Sequence, residues 1–367
     1  NQDTEGFRTD ARVCNLSYIQ TDWYIDQMRR PAYDSPSLPI TWNRLEYCAG
    51  TNDYIEVRPE AKQSLIDLYK QSPEEAKRLF GDEPFELKNI LKYWIRNKDE
   101  NYHYIPTDTI FMTVDKEAVR KSGMMLATEE IPDKMVISLH GKSILYKGDI
   151  MVLEMLSNCN WTRPIYVAVT VGSENYLNLG DNTIKEGLAS RITPFTTNVD
   201  GNPVEGVRTI DTKRMYDNLM HKYKFGGLDS GKDLYLDETI MRMCWTHRRL
   251  YALLAQQLYF DGENDKAKEV LLYADKHIPA PLVPISYHSG SLDEARIYAT
   301  LGMKKQASDI INSMVENSQQ YLRWYISLGQ SRILDNQREC NMHFYILQQC
   351  GETAKSISEH FAEKIYC

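Results

Sequence analysis

The feature that most narrows what this chain can fold into is a pattern in its second half that recurs at a step of forty residues. Tyr251, Leu254, Ala255, Leu258, Gly262, Ala267, Leu271, Ala274 and Pro279 follow the large, small and turn positions of a tetratricopeptide hairpin. A weaker copy has Ala295, Tyr298, Gly302, Ala307, Ile311 and Met314, so Gly262 and Gly302, and Ala267 and Ala307, stand forty apart. Alanines at a helix crossing let two antiparallel helices approach, leucines fill the space between them, and a glycine relieves the tight turn. The step exceeds the usual repeat of about 34 residues, and the loop 281–289 absorbs the excess. Further helical periodicity over 337–365 extends this to a stack of about three hairpins. Such a stack either offers a concave surface to a peptide or partner protein, or simply buttresses the first half.

The first half has a different pattern. At 367 residues the chain is longer than one hydrophobic core organises, so two domains are expected. Strand signals cease near 205–212, a stretch carrying Gly206, with Gly201 and Pro203 just before it. The division is therefore 1–208 and 209–367. Before it, apolar β-rich runs at 12–19, 109–114, 135–139 and 164–171 alternate with helical runs starting at Thr21, Asp115 and Gly148. Residues 61–97, with Pro59, Pro73 and Pro84 near helix starts, form a helical insertion. The expected fold class is a Rossmann-like layered α/β domain with a mostly parallel sheet, followed by an all-α tetratricopeptide-like domain. The near-continuous apolar run Ile165-Tyr166-Val167-Ala168-Val169 predicts a strand covered on both faces.

Charge excludes some functions. The net charge of −8 gives no cationic surface for nucleic acid. No apolar run approaches the roughly 20 residues that cross a bilayer, so the chain reads as soluble. The first residue is Asn1 and no leader pattern follows, so the chain reads as a fragment of something longer. Seven cysteines without metal-type spacing point to buried thiols rather than a disulfide scaffold.

The motifs for common chemistries are incomplete. Gly226-Gly227-Leu228-Asp229-Ser230-Gly231-Lys232-Asp233 almost spells a phosphate-binding loop, but Asp233 stands where a magnesium-binding hydroxyl belongs. It reads as an interdomain loop. His140, beside Gly141, reads as a solvated turn histidine, and 245–249, with His247, Arg248 and Arg249, as a charged helix face. No catalytic residue, metal site or cofactor is assigned. The candidate ligand-binding residues follow the first and last strands of the expected sheet, where open α/β sheets bind ligands. They are Asn15, Ser17, Asp22, Trp23 and Tyr24, with Thr21 as helix N-cap, and Glu174, Asn175 and Tyr176, after Thr170 and Gly172. Polar groups beside aromatic faces suit a sugar or peptide. The same residues also serve as helix cap and first-turn packing.

Three runs carry a resemblance. They are 7–17 (Phe7-Arg8-Thr9-Asp10-Ala11-Arg12-Val13-Cys14-Asn15-Leu16-Ser17) with Thr21-Asp22-Trp23-Tyr24-Ile25; 145–154 with Trp161-Thr162-Arg163-Pro164-Ile165-Tyr166-Val167-Ala168; and Glu186-Gly187-Leu188-Ala189-Ser190-Arg191-Ile192-Thr193-Pro194. Together they resemble the C-terminal region of the domain-of-unknown-function 2723 family of bacterial multi-pass membrane proteins. That family is similar to protein O-mannosyltransferases, which move a sugar from a lipid-linked donor to a Ser or Thr hydroxyl. The resemblance implies that the catalytic carboxylate lies in a membrane domain outside this chain. It also implies that an acidic stretch precedes Asn1, so that the first strand-and-helix unit is truncated. On this basis the chain is expected at the periplasmic face of a bacterial inner membrane. It would act there as an accessory region that presents acceptor protein or steadies the catalytic core. Its implied partners are the membrane-embedded domain of the same polypeptide, and acceptor proteins or a lipid-linked sugar. The alternatives are a sugar- or small-molecule-binding α/β domain and a purely structural appendage.

Overall fold

The computed structural model describes residues 9–124, 130–199, 202–204, 207–232 and 234–366. The chain divides into two compact units, one of 1–185 with 189–209 and one of 186–188 with 210–367.

Among the described residues, the first helices of this unit are α1 (Asp22–Met28) and the short α2 (Arg44–Tyr47). Strand β1 (Tyr54–Glu56) leads to α3 (Ala61–Gln71), α4 (Pro73–Phe80) and α5 (Leu87–Asn89), which continues as a π-helical turn, Ile90–Ile95. There follow β2 (Thr109–Thr113), α6 (Lys116–Ser122), β3 (Lys134–Ser138), β4 (Ile144–Tyr146) and α7 (Lys147–Cys159). Strands β5 (Tyr166–Ala168), β6 (Thr183–Lys185), β7 (Ala189–Ile192), β8 (Asn198–Val199) and β9 (Asn202–Pro203) complete it.

These strands do not build the expected layered parallel sheet. Helix accounts for 54% of the described residues, and the strands form small antiparallel sheets: β1 with β4, β2 with β3, β5-β7-β6, and β8 with β9. Among the described residues, parallel pairing is confined to the single bridges Val57–Ile105 and Glu86–Phe111. The Rossmann-like α/β expectation is therefore overturned. In β2 and β3 burial alternates, with Ile110, Met112, Met135 and Ile137 inside, as befits an antiparallel ribbon with one covered face.

Two expected strands fail for identifiable reasons. Over 12–19 the Asn15 side-chain carbonyl accepts the backbone N–H groups of Ser17 and Tyr18 at 2.8 and 3.2 Å, and its backbone carbonyl accepts that of Ile19 at 3.0 Å. This Asx turn bends a stretch whose β-branched and aromatic residues suggested extension. In 164–171 only three residues pair, as the sheet's edge strand β5, and the chain turns away where Val171 N–H meets the Ala168 carbonyl at 2.9 Å. Tyr166 and Val169 stay exposed, so an unbroken apolar run here marks an edge and a turn instead of a doubly covered strand.

Helices α3 to α5 belong to the core of this unit. Phe80 stacks on Trp94 with ring centroids 4.4 Å apart and planes 14° from parallel, and Leu87, Ile90 and Ile95 are buried beside them.

The second unit contains α8 (Thr212–Asp217), running on as the π-helical Asn218–Lys222, then α9 (Glu238–Phe260), α10 (Asn264–His277), α11 (Ser291–Thr300) and α12 (Lys304–Ser327). It ends with α13 (Gln330–Asp335), α14 (Gln337–Ile357) and α15 (Glu359–Tyr366). Helices α9 with α10, and α11 with α12, are antiparallel hairpins. Gly262 and Gly302 close their turns at φ of +80° and +77°, where an L side chain is strained. Ala255, Ala267, Ala295 and Ala307 are fully buried at the crossings, and Leu258 and Leu271 pack between helices. A helical C-terminal region is thus present.

The glycine-rich loop 226–231 lies within this unit, not between domains, and follows a helix. Its Asp229 accepts from His277 at 2.5 Å. Asp233, the residue that spoiled the phosphate-loop pattern, lies outside the described residues.

Candidate functional site

Helix α1 starts at Asp22, and Thr21 occupies its N-cap position with an extended backbone but without a side-chain cap. The Thr21 hydroxyl instead donates to the Tyr18 carbonyl at 2.7 Å, tying the helix to the Asx turn before it. The Asp22 carboxylate accepts the N–H of Trp23 at 2.8 Å, where a negative charge meets the positive end of the helix. Arg44 on α2 pairs with Asp26 and, at 3.5 Å, with Asp22. Buried Tyr47 donates to Asp26 at 2.7 Å and accepts from Arg29 at 2.8 Å, and burial raises its phenol pKa. These carboxylates are neutralised by their neighbours, so they hold structure and leave little charge for a ligand.

The aromatic groups are more available. Tyr18, Trp23 and Tyr24 form a cluster with centroid separations of 5.4 to 5.8 Å. Tyr24 is buried, and its hydroxyl accepts the Asn15 N–H at 2.8 Å. Tyr18 and Trp23 are 51% and 54% exposed, leaving an open ring surface beside Ser17. Asn15, Ser17, Asp22, Trp23 and Tyr24 are therefore brought together, although no parallel strand ends there.

Glu174 and Asn175 lie on the 3-10 turn Ser173–Asn175, which Gly172 enters through its carbonyl bond to the Asn175 N–H at 3.0 Å. The Asn175 amide donates to the Glu174 carboxylate at 2.9 Å, and Tyr176 packs on the core. Among the described residues, no hydrogen bond, ion pair or ring contact joins this group to the Asn15–Tyr24 group. His140 is largely exposed, with Asp108 at 3.6 Å.

The helical unit contains two features the sequence patterns missed. Arg248, expected on a charged face, is buried: its guanidinium donates to the carbonyls of Ile278, Val283 and Pro284 at 2.9, 2.8 and 3.3 Å. It also lies near buried Glu294, whose carboxyl pKa is raised by burial and by Asp275, against the lowering effect of Arg248. Tyr298 donates to Asp275 at 2.5 Å. The run of residues at 245–249 does not reveal this, because the partners come from loops and helices 30 to 46 residues later.

The second feature is an open groove of about 640 Å³ along α12. One wall is Ser313, Glu316, Asn317, Gln320, Tyr321 and Trp324; the other includes Pro284 and Ile285. The wall residues recur at helical spacing on the face away from the buried Ile310, Ile311, Met314 and Val315. A second helical stripe on α12 was the available signal.

Six cysteines are free among the described residues; Cys159, Cys244, Cys340 and Cys350 are buried, and Cys14 and Cys48 are partly so. Burial pushes the thiols of Cys14 and Cys350 up to about 11, which keeps them protonated and unreactive. No group of metal-binding side chains occurs among the described residues, and no helix among them is long and apolar enough to cross a membrane.

Compared with known proteins, residues 1–214 match the family described as TMEM260-associated domain 2. The three runs that carried the sequence resemblance all lie inside that stretch. No curated protein and no solved structure matches the chain.

Proposed function

We propose that this chain, which belongs to the TMEM260-associated domain 2 family, is the extracytoplasmic accessory region of a membrane glycosyltransferase-like protein and holds the acceptor for it. The observation that carries this reading is the groove along α12. It is an open surface with two large rings and several polar side chains, built on a helical scaffold whose own core is filled. The resemblance of 7–25, 145–168 and 186–194 to glycosyltransferase-like membrane proteins supplies the chemistry that such a surface would serve. In this reading the partners are the membrane-embedded domain of the same polypeptide, an acceptor protein and a lipid-linked sugar, at the periplasmic face of a bacterial inner membrane.

The test is to delete residues 210–367 from the membrane protein and measure acceptor glycosylation by mass spectrometry, with the amount of membrane-inserted protein held equal. Loss of acceptor modification is the expected result. Unchanged glycosylation, or turnover of a glycosyl donor by the isolated chain, overturns the proposal.

A further inference from the structure

We propose that the groove along α12 is a binding site for a neutral saccharide, with Trp324 and Tyr321 as the stacking platform and Asn317, Gln320 and Glu316 as the hydroxyl-binding groups. The inference rests on the holding role just proposed and narrows what the groove itself grips to saccharide already carried by the acceptor protein, rather than its peptide chain.

Helix α12 has two distinct faces. Ile310, Ile311, Met314, Val315, Leu322 and Tyr325 turn into the unit and are buried. Tyr321 and Trp324, one helical turn apart, remain 47% and 53% exposed on the groove side. Large rings left half open beside a filled core are surface that a ligand can cover. Among the described residues, the side chains of Ser313, Glu316, Asn317 and Gln320 have no hydrogen-bond partner, so their donors and acceptors are uncommitted.

A sugar ring has an apolar C–H face and a rim of hydroxyls. Aromatic faces accept the first, and planar amides and carboxylates accept adjacent pairs of the second. Glu316 is the one charged residue in the groove lining, and Lys and Arg are absent from it. A phosphate or carboxylate ligand would meet repulsion there without compensation. The volume falls within the roughly 300–1,000 Å³ of small-molecule sites, which suits a compact ligand better than an extended chain.

The platform is also held in place. The His343 ring stacks on Tyr321, centroids 4.7 Å apart and planes 14° from parallel. Burial lowers the pKa of His343, favouring the neutral ring behind Tyr321. A ring fixed before the ligand arrives loses little freedom on binding.

The test is isothermal titration calorimetry of the full chain with neutral oligosaccharides of mannose, glucose, galactose and N-acetylglucosamine, alongside a lysine-rich peptide and a sugar phosphate. We expect at least one neutral series to bind. W324A and the double variant N317A/Q320A should each weaken it tenfold or more, and W324F, which keeps a ring, should weaken it less. All the substituted side chains are exposed, and circular dichroism confirms folding of each variant. The proposal is overturned by absence of saccharide binding at millimolar concentration, by undiminished binding to W324A, by loss in W23A but not W324A, or by preference for the peptide or sugar phosphate. If saccharides fail to bind while removal of 210–367 still abolishes acceptor glycosylation, the ligand class is wrong and the holding role stands.

Discussion

Arg248 and Glu294 face each other inside the helical unit, Nε to Oε2 at 4.0 Å, with side chains only 5% and 3% exposed. The guanidinium is satisfied mainly by three backbone carbonyls, so it fastens the loop 278–284 to α9 more than it neutralises the carboxyl. Removing it strips those carbonyls of their donor. We expect R248M to lose about 3–5 kcal/mol in urea unfolding. The pair variant R248M/E294L should lose less than the sum of the two single variants, because each residue's removal strands the other.

Glu294 also predicts a pH dependence. Its pKa is raised in the folded state, by burial first and by Asp275 second. A folded carboxyl that holds its proton longer than the unfolded chain contributes stability that is complete below the unfolded value of about 4.3. That contribution is lost as pH rises through the folded value. The melting temperature of the intact protein should therefore carry a component that falls with rising pH across this range, and E294Q should flatten it. An unaltered pH profile in E294Q refutes the assignment.

His247 gives the opposite sign. Burial alone lowers its pKa, and its Nδ1 is buried without a partner among the described residues. Stability from keeping it neutral is present above the unfolded value near 6.5 and falls away as pH drops through the lower folded value. H247F should reduce the acid sensitivity of thermal unfolding, read by circular dichroism between neutral pH and about 5.

Two tryptophans of the first unit should respond differently to truncation. Trp94 is buried and stacked on Phe80, so W94A is expected to cost about 3–5 kcal/mol. Trp23 is half exposed, and W23A should cost less than about 1 kcal/mol. Chemical denaturation of both variants checks the contrast. A large loss in W23A would make that ring structural.

Gly187 has φ of +136°, and a Cβ there would strike the Tyr223 hydroxyl, which accepts the Leu188 N–H at 2.7 Å. G187A combines backbone strain with loss of that bond, for an expected cost of about 1–3 kcal/mol. Adding Y223F should recover part of it by removing the obstructing oxygen.

The sequence revealed elements whose signal is local. Helices α7 and α9 to α12, the β2 and β3 strands, and the turns at Gly262 and Gly302 follow from periodicity and glycine placement within short windows. Strand direction is not local, since parallel and antiparallel pairing use the same residues and differ in which partner arrives. The Asx turn at Asn15 was encoded by one side chain inside a run of β-favouring residues, and averaging over the run concealed it. The candidate residues Asn15 to Tyr24 gather in space because they are neighbours in the chain, whereas Tyr176 needed a sheet that does not form. Arg248 and the α12 groove depend on segments that come together only after folding.

The four fully buried alanines at 255, 267, 295 and 307 work as spacers. Each sets the clearance between two helix axes, and a bulkier residue at any one would tilt a whole hairpin. An error at 255 or 267 would be handed on to whatever rests against that hairpin. The thickness of this half is thus fixed by four methyl groups.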